Sequence, residues 1–135
     1  MVKTTRKQIL LVEDDSAVLM MLKLRLLHEG FDVVLARNGE EALQCVEANG
    51  VIDLIIMDVK MPKLDGFQVC KQLKSNPTTA KIPIIIYTAS ERHFLNLADR
   101  CMELGVSAWL KKPFQSEELL EKIHHVLGRG GTTHV

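Results

Sequence analysis

Short, largely apolar runs recur five times along the chain, at 9–12, 33–36, 54–57, 84–87 and 107–110, and stretches of helical period separate them. Each run has the length of a strand buried on both faces. The stretches between them, near 16–29, 39–48, 65–75, 91–104 and 116–127, have the length of crossover helices. This alternation predicts an α/β fold, a doubly wound five-stranded parallel sheet covered by helices on both faces. The punctuation agrees: Asn38 with Glu41 makes a capping pair, Gly30, Gly50 and Gly105 stand where helices stop, and Ser116 precedes an acidic first turn of Glu117 and Glu118. Residues 1–7 read as an N-terminal extension, 8–127 as one domain, and 128–135 as a flexible tail rich in Gly and Thr.

The first helical stretch departs from a simple amphipathic pattern, because nine of the twelve residues 16–27 are apolar. Val18, Met21, Leu22 and Leu26 serve one buried face. Met20, Leu24 and Leu27 then fall together on another at helical spacing, which reads either as a docking patch for a partner helix or as a more deeply buried helix.

Composition narrows the function. Apolar residues are 47% and charged residues 25% of the 135-residue chain, ordinary globular usage that argues against disorder or low complexity. Seventeen basic residues balance seventeen acidic ones, so no bulk positive field draws the chain to nucleic acid or an anionic membrane. Neither direct nucleic-acid binding nor membrane insertion is expected. Cys45, Cys70 and Cys101 form an odd set without paired spacing, which suits a reduced, cytoplasmic compartment. No apolar run near the start has the length of a signal peptide or a membrane span.

In an open parallel sheet the binding crevice lies beyond the carboxyl ends of the strands. Glu13, Asp14 and Asp15 follow the first run, Asp58 the third, Thr88 the fourth, and Lys111, Lys112 and Pro113 the fifth. Right-handed crossovers, with two helices on one face and three on the other, set the first, third, fourth and fifth strands side by side, so their ends share one pocket. Glu13, Asp14 and Asp58 crowded there repel one another unless a proton or a cation intervenes. Hard oxygen ligands favour Mg²⁺, and a lysine with a threonine hydroxyl completes a donor set for three phosphoryl oxygens. Singly, each residue also has a plain structural reading, since an Asp after a strand often caps a helix and a Lys is often solvated.

From about residue 8 to 127 these motifs resemble the receiver domain of two-component response regulators. Ile-Leu-Leu-Val-Glu-Asp-Asp at 9–15 is similar to the family's first strand and acidic pair, with Glu13 and Asp14 on the acidic positions. Asp-Val-Lys-Met-Pro-Lys-Leu-Asp-Gly at 58–66 resembles the phosphoacceptor strand end, Tyr-Thr-Ala at 87–89 the strand end with its switch hydroxyl, and Lys-Pro-Phe at 112–114 the Lys-Pro step. The resemblance implies a flavodoxin-like sheet of order 2-1-3-4-5 and a cis Lys112–Pro113 bond. It implies Asp58 as phosphoacceptor, with Lys112 and Thr88 assisting. It further implies metal ligation by Asp14, Asp58 and the backbone carbonyl of Lys60, with Glu13 acting through a bound water. Mg²⁺ is the implied cofactor, and Mn²⁺ can substitute.

Thr88 and Trp109 stand at the family's switch positions. Trp109 is bulkier than the usual Tyr or Phe, and it reads equally as a surface aromatic covering the sheet edge. Asp65 and Gly66 cap the third helix and turn its loop, and His124 and His125 read as surface positions. The implied function is a stand-alone, single-domain regulator, with no room for an output domain. It takes a phosphoryl group from a histidine kinase or phosphotransfer protein and signals to a downstream protein as a monomer or weak dimer. Its only enzymatic chemistry is self-phosphorylation and dephosphorylation at Asp58. A haloacid-dehalogenase-like phosphatase lacks support, because the first strand offers no Asp-x-Asp pair and no cap follows. A degenerate scaffold is expected to lack Asp58, Thr88 or Lys112. A dinucleotide or flavin domain needs a Gly-rich or hydroxyl-rich loop where carboxylates stand instead.

Overall fold

In the computed structural model of the chain, which describes residues 6–89 and 96–128, strands and helices alternate as expected. Among the described residues the order is β1 (Gln8–Val12), α1 (Ser16–His28), β2 (Asp32–Ala36), α2 (Gly39–Ala48), β3 (Leu54–Asp58), α3 (Gly66–Lys74), β4 (Ile84–Thr88), α4 (Leu97–Leu104), β5 (Ala108–Lys111) and α5 (Ser116–Val126). The five strands form one parallel sheet in the order β2-β1-β3-β4-β5. The first part of the helix expected at 91–104, residues 91–95, lies outside the described residues, as does the tail from 129 on.

Strand alternation sorts the apolar residues into two cores. Leu10, Val12, Ile55, Met57, Ile84 and Ile86 face α2, α3 and α4, where Ala42, Phe67, Val69, Leu73 and Leu97 meet them. Ile9, Leu11, Leu54, Ile56, Ile85 and Tyr87 face the opposite side, against Leu19, Leu22 and Leu26 of α1 and Leu119, Leu120 and Ile123 of α5. β1, β3 and β4 are thus covered on both faces, which is why their sequences are apolar without interruption.

The helix ends follow local chemistry. Asp15 caps α1 by accepting from Ala17 N and Val18 N, Asn38 caps α2 by accepting from Glu41 N, and Asp65 caps α3 in a capping box with Gln68. At α5 the capping box belongs to Gln115 with Glu118, so Ser116 is the first helical residue. α4 ends at Gly105 in the left-handed region with φ 74°.

Two expectations need correction. On α1 the buried residues are Leu19, Leu22 and Leu26, whereas Met21, assigned to the inner face, is 62% exposed. Because nearly every position is apolar, the sequence carries no contrast to fix which stripe turns inward. His124 is half-buried, its ring tilted against that of Phe31 at 6.2 Å, while His125 is exposed.

Candidate functional site

Strand register brings the polar residues together. Val12 pairs with Met57, so the next residues, Glu13 and Asp58, emerge side by side, and Asp58 pairs in turn with Tyr87 and Thr88 with Lys111. The result is an open cleft of about 710 Å³ at the carboxyl end of the sheet, lined by Glu13, Asp14, Asp15, Asp58, Lys60 and Lys112 with Met61, Pro62 and Ala89. The location is the strand-end crevice expected for an open parallel sheet.

Within the cleft Glu13, Asp14 and Asp58 each offer a carboxylate oxygen, and these atoms lie within 4.8 Å of one another. Glu13 and Asp58 are buried, while Asp14 is exposed. Lys112 Nζ stands 3.6 Å from Asp58 Oδ2 and 3.3 Å from Glu13 Oε1. The Lys60 backbone N–H donates to Asp58 Oδ1 at 3.3 Å. Burial pushes the Asp58 carboxyl up to about 6; the nearby Lys112 ammonium opposes this, Glu13 reinforces it, the Lys60 N–H opposes it, and Asp14 adds a little more repulsion. A carboxyl so placed is partly desolvated and surrounded by its own kind. Hard oxygens at this spacing can hold a divalent cation, which would relieve that repulsion.

The backbone behind Asp58 leaves no room for a side chain. A Cβ on Gly66 would stand 2.6 Å from the Asp58 carbonyl oxygen and 3.0 Å from Val59 Cα, so the loop into α3 can close on the strand end only with glycine there. Gly66 N donates to Val59 O at 2.8 Å, pinning the loop to the strand end.

Thr88 is fully buried at the end of β4, one residue before Ala89 of the cleft wall, and its carbonyl accepts from Lys112 N at 2.9 Å. The Lys112–Pro113 bond is cis. Strand alternation sets Thr88 on the Ile84 and Ile86 side of the sheet, and Trp109, paired with Ile86, packs into that same core. Trp109 is half-buried and also lines a separate cavity of about 530 Å³ at the β5 edge with Glu121, Lys122 and His125. It shares a sheet face with Thr88 rather than a wall of the acid cleft.

The exposed apolar residues of α1 are Met20 at 48%, Leu24 at 58% and Leu27 at 37%, joined by Met21. Beside the acid cleft, Met21 and Leu24 help to line a groove of about 970 Å³ between α1 and the loop carrying Lys112, Pro113 and Phe114.

The sequence reading missed one polar contact of the site. The Tyr87 hydroxyl, fully buried, donates to Glu13 Oε1 at 2.5 Å. Tyrosine is an ordinary strand residue, so only its place beside a strand-end threonine, after three isoleucines, marked it.

A family model described as response regulator receiver domain matches residues 9–124. The chain is 37% identical over 123 residues to the alkaline phosphatase synthesis transcriptional regulatory protein PhoP of Bacillus subtilis (strain 168), covering 91% of this chain and 49% of that protein. Among solved structures it is similar to a CheY-like response regulator receiver domain protein from Methanospirillum hungatei JF-1, with a TM-score of 0.84 at 28% identity, covering 96% of this chain and 100% of that one. It is also similar to the chemotaxis response regulator CheY4 of Vibrio cholerae, with a TM-score of 0.81 at 30% identity over 90% of this chain and 99% of that one. The chain spans about half the length of the curated relatives it matches, so these matches speak for one domain and not for a stand-alone protein.

Proposed function

Because the chain belongs to the response regulator receiver domain family, we propose that it accepts a phosphoryl group on Asp58 from a histidine kinase or phosphotransfer protein and then changes its partner-binding face. One observation carries the reading: three carboxylates and one lysine ammonium converge at a single strand-end cleft, with Asp58 in contact distance of Lys112. An Asp58 oxygen attacks phosphorus in line, the phosphorus–nitrogen bond of the donor breaks, and its electron pair returns to the imidazole nitrogen. There is little covalent chemistry for the protein to perform beyond placing these atoms, so charge placement supplies most of the acceleration.

The donor set suits Mg²⁺, with Mn²⁺ as a substitute. Asp14, Asp58 and the Lys60 carbonyl would hold it, and Glu13 would act through a bound water. When bound, the ion supplies neutralising charge for the incoming phosphoryl group. Lys112 exchanges the Asp58 carboxylate for phosphoryl oxygens, and the Thr88 hydroxyl donates to the same oxygens. Drawing Thr88 toward the cleft vacates space on the sheet face it shares with Trp109, and that face carries the signal to a downstream protein.

The phosphodonor docks on the exposed side of α1, through Met20, Leu24 and Leu27. Support comes from their exposure and, for Leu24, from the apolar groove that it lines with Met21 and that shares Lys112 and Ala89 with the acid cleft. The buried thiols Cys70 and Cys101, raised to about 12 and about 11 chiefly by desolvation, fit a cytoplasmic protein whose cysteines serve packing.

The test uses a small phosphoramidate donor with Mg²⁺ and intact-mass spectrometry. One added phosphoryl group in the wild type and none in Asp58→Asn is the expected result; equal labelling of both removes Asp58 as acceptor. With a phosphohistidine protein as donor, Leu24→Glu is expected to slow transfer while leaving labelling by the small donor intact.

A further inference from the structure

From the apolar core beneath α1 the Tyr87 hydroxyl reaches Glu13 of the acid cleft. Its ring lies in that core, edge-on to Phe114 at 5.6 Å between centroids, and Lys112 Nζ stands 4.8 Å from the ring centroid. Its oxygen donates to Glu13 Oε1 at 2.5 Å, the same atom that Lys112 approaches at 3.3 Å. Glu13 Oε2 accepts from Asp15 N at 3.0 Å. The Glu13 carboxylate is therefore tied down from three places: β4 through Tyr87, the turn after β5 through Lys112, and the turn after β1 through Asp15.

From this arrangement we infer that Tyr87 is a positioning residue of the phosphoryl site, holding Glu13 in the orientation from which it would help to hold a divalent cation through water, and steadying Lys112 between Glu13 and Asp58. The inference rests on the proposed function and names a group that function does not require. Its physical basis is that a carboxylate on a flexible side chain is a weak partner unless its rotamer is fixed, and a buried charge-assisted hydrogen bond fixes it. Lys112 alone cannot do so, because its ammonium is shared with Asp58 at 3.6 Å. Tyr87 has a rigid ring held by packing, so its oxygen arrives in one place.

The Tyr87→Phe change isolates the hydroxyl, since the ring and its contacts with Phe114 and Lys112 remain. Tyr87→Leu removes both hydroxyl and ring. Magnesium titration by calorimetry is expected to show Tyr87→Phe binding about tenfold or more weakly than the wild type, within the range usual for loss of a partner that orients a metal-site carboxylate. Tyr87→Leu should lose about the same affinity, although it melts at a lower temperature than Tyr87→Phe, because packing and positioning are then separate effects. In a Glu13→Gln background, Tyr87→Phe should change Mg²⁺ affinity by less than about twofold, since the group it acts through is gone. Affinity of Tyr87→Phe equal to or tighter than wild type overturns the inference while leaving the proposed function standing, and so does an undiminished effect in the Glu13→Gln background. A wild type that takes up no Mg²⁺ overturns both.

Discussion

Asp58 is buried among carboxylates, and its proton is held until about pH 6 rather than the ordinary 3.8. The native state thus binds this proton more tightly than the unfolded chain does. Its contribution to stability is present below about pH 4 and is lost as pH rises through about 6. In metal-free protein at about pH 7.5, Asp58→Asn is therefore expected to raise stability by about 1–3 kcal/mol, and to raise it much less at about pH 4.5. Urea denaturation with chelator at both pH values checks this, and an equal gain at both would contradict it. At this scale the sequence was readable where a charged residue interrupts an apolar run. Glu13, Asp14, Asp58 and Lys112 each stand at such a break, and the register brings all four into one cleft. Tyr87 was not readable as a site residue, because a tyrosine inside a strand satisfies the apolar pattern whether or not its hydroxyl reaches a carboxylate.

At the scale of elements, legibility follows contrast. α2 and α3 alternate apolar and charged residues, begin at side-chain caps, and lie within one residue of where the pattern put them. α1 has clear ends, with Asp15 as cap and Gly30 beyond its last turn at φ 94°, but an all-round apolar surface leaves its rotation undetermined by sequence. Packing decides it: Leu19, Leu22 and Leu26 pack beneath the helix with Phe31, Ile9 and Leu11, and Met21 is left outside. Leu22→Ala is therefore expected to cost about 2–4 kcal/mol through lost burial and a residual cavity. Met21→Ala, one position away on the same helix, should cost less than about 1 kcal/mol. Denaturation midpoints of the two variants at unchanged slope distinguish this rotation from one that turns Met21 inward beside Leu22, in which both changes cost alike.

Over the whole molecule, the strand order makes a switch possible by setting two different kinds of contact on the two faces of β4. Tyr87 looks toward α1 and α5 and ties into Glu13, while Ile86 and, by alternation, Thr88 look toward α2, α3 and α4, where Trp109 packs. A change at Asp58 is thereby close both to the groups that hold the cleft and to the strand end that carries Thr88 on the opposite face. Trp109, the single tryptophan of the chain, sits with that second set and lines its own cavity at the β5 edge. Cation binding alone, confined to the carboxylates, should then leave its fluorescence nearly unchanged. Beryllofluoride, which mimics a phosphoryl group on an aspartate, should shift the emission in the presence of Mg²⁺ because it recruits Thr88 and alters the packing around Trp109. The shift should saturate, and should be absent in Asp58→Asn. A full response to Mg²⁺ alone would mean that Trp109 reports the charge of the cleft directly. A silent tryptophan in a protein that mass spectrometry shows to be phosphorylated would mean that the indole is too large to follow Thr88, and that the signal leaves the domain by another face.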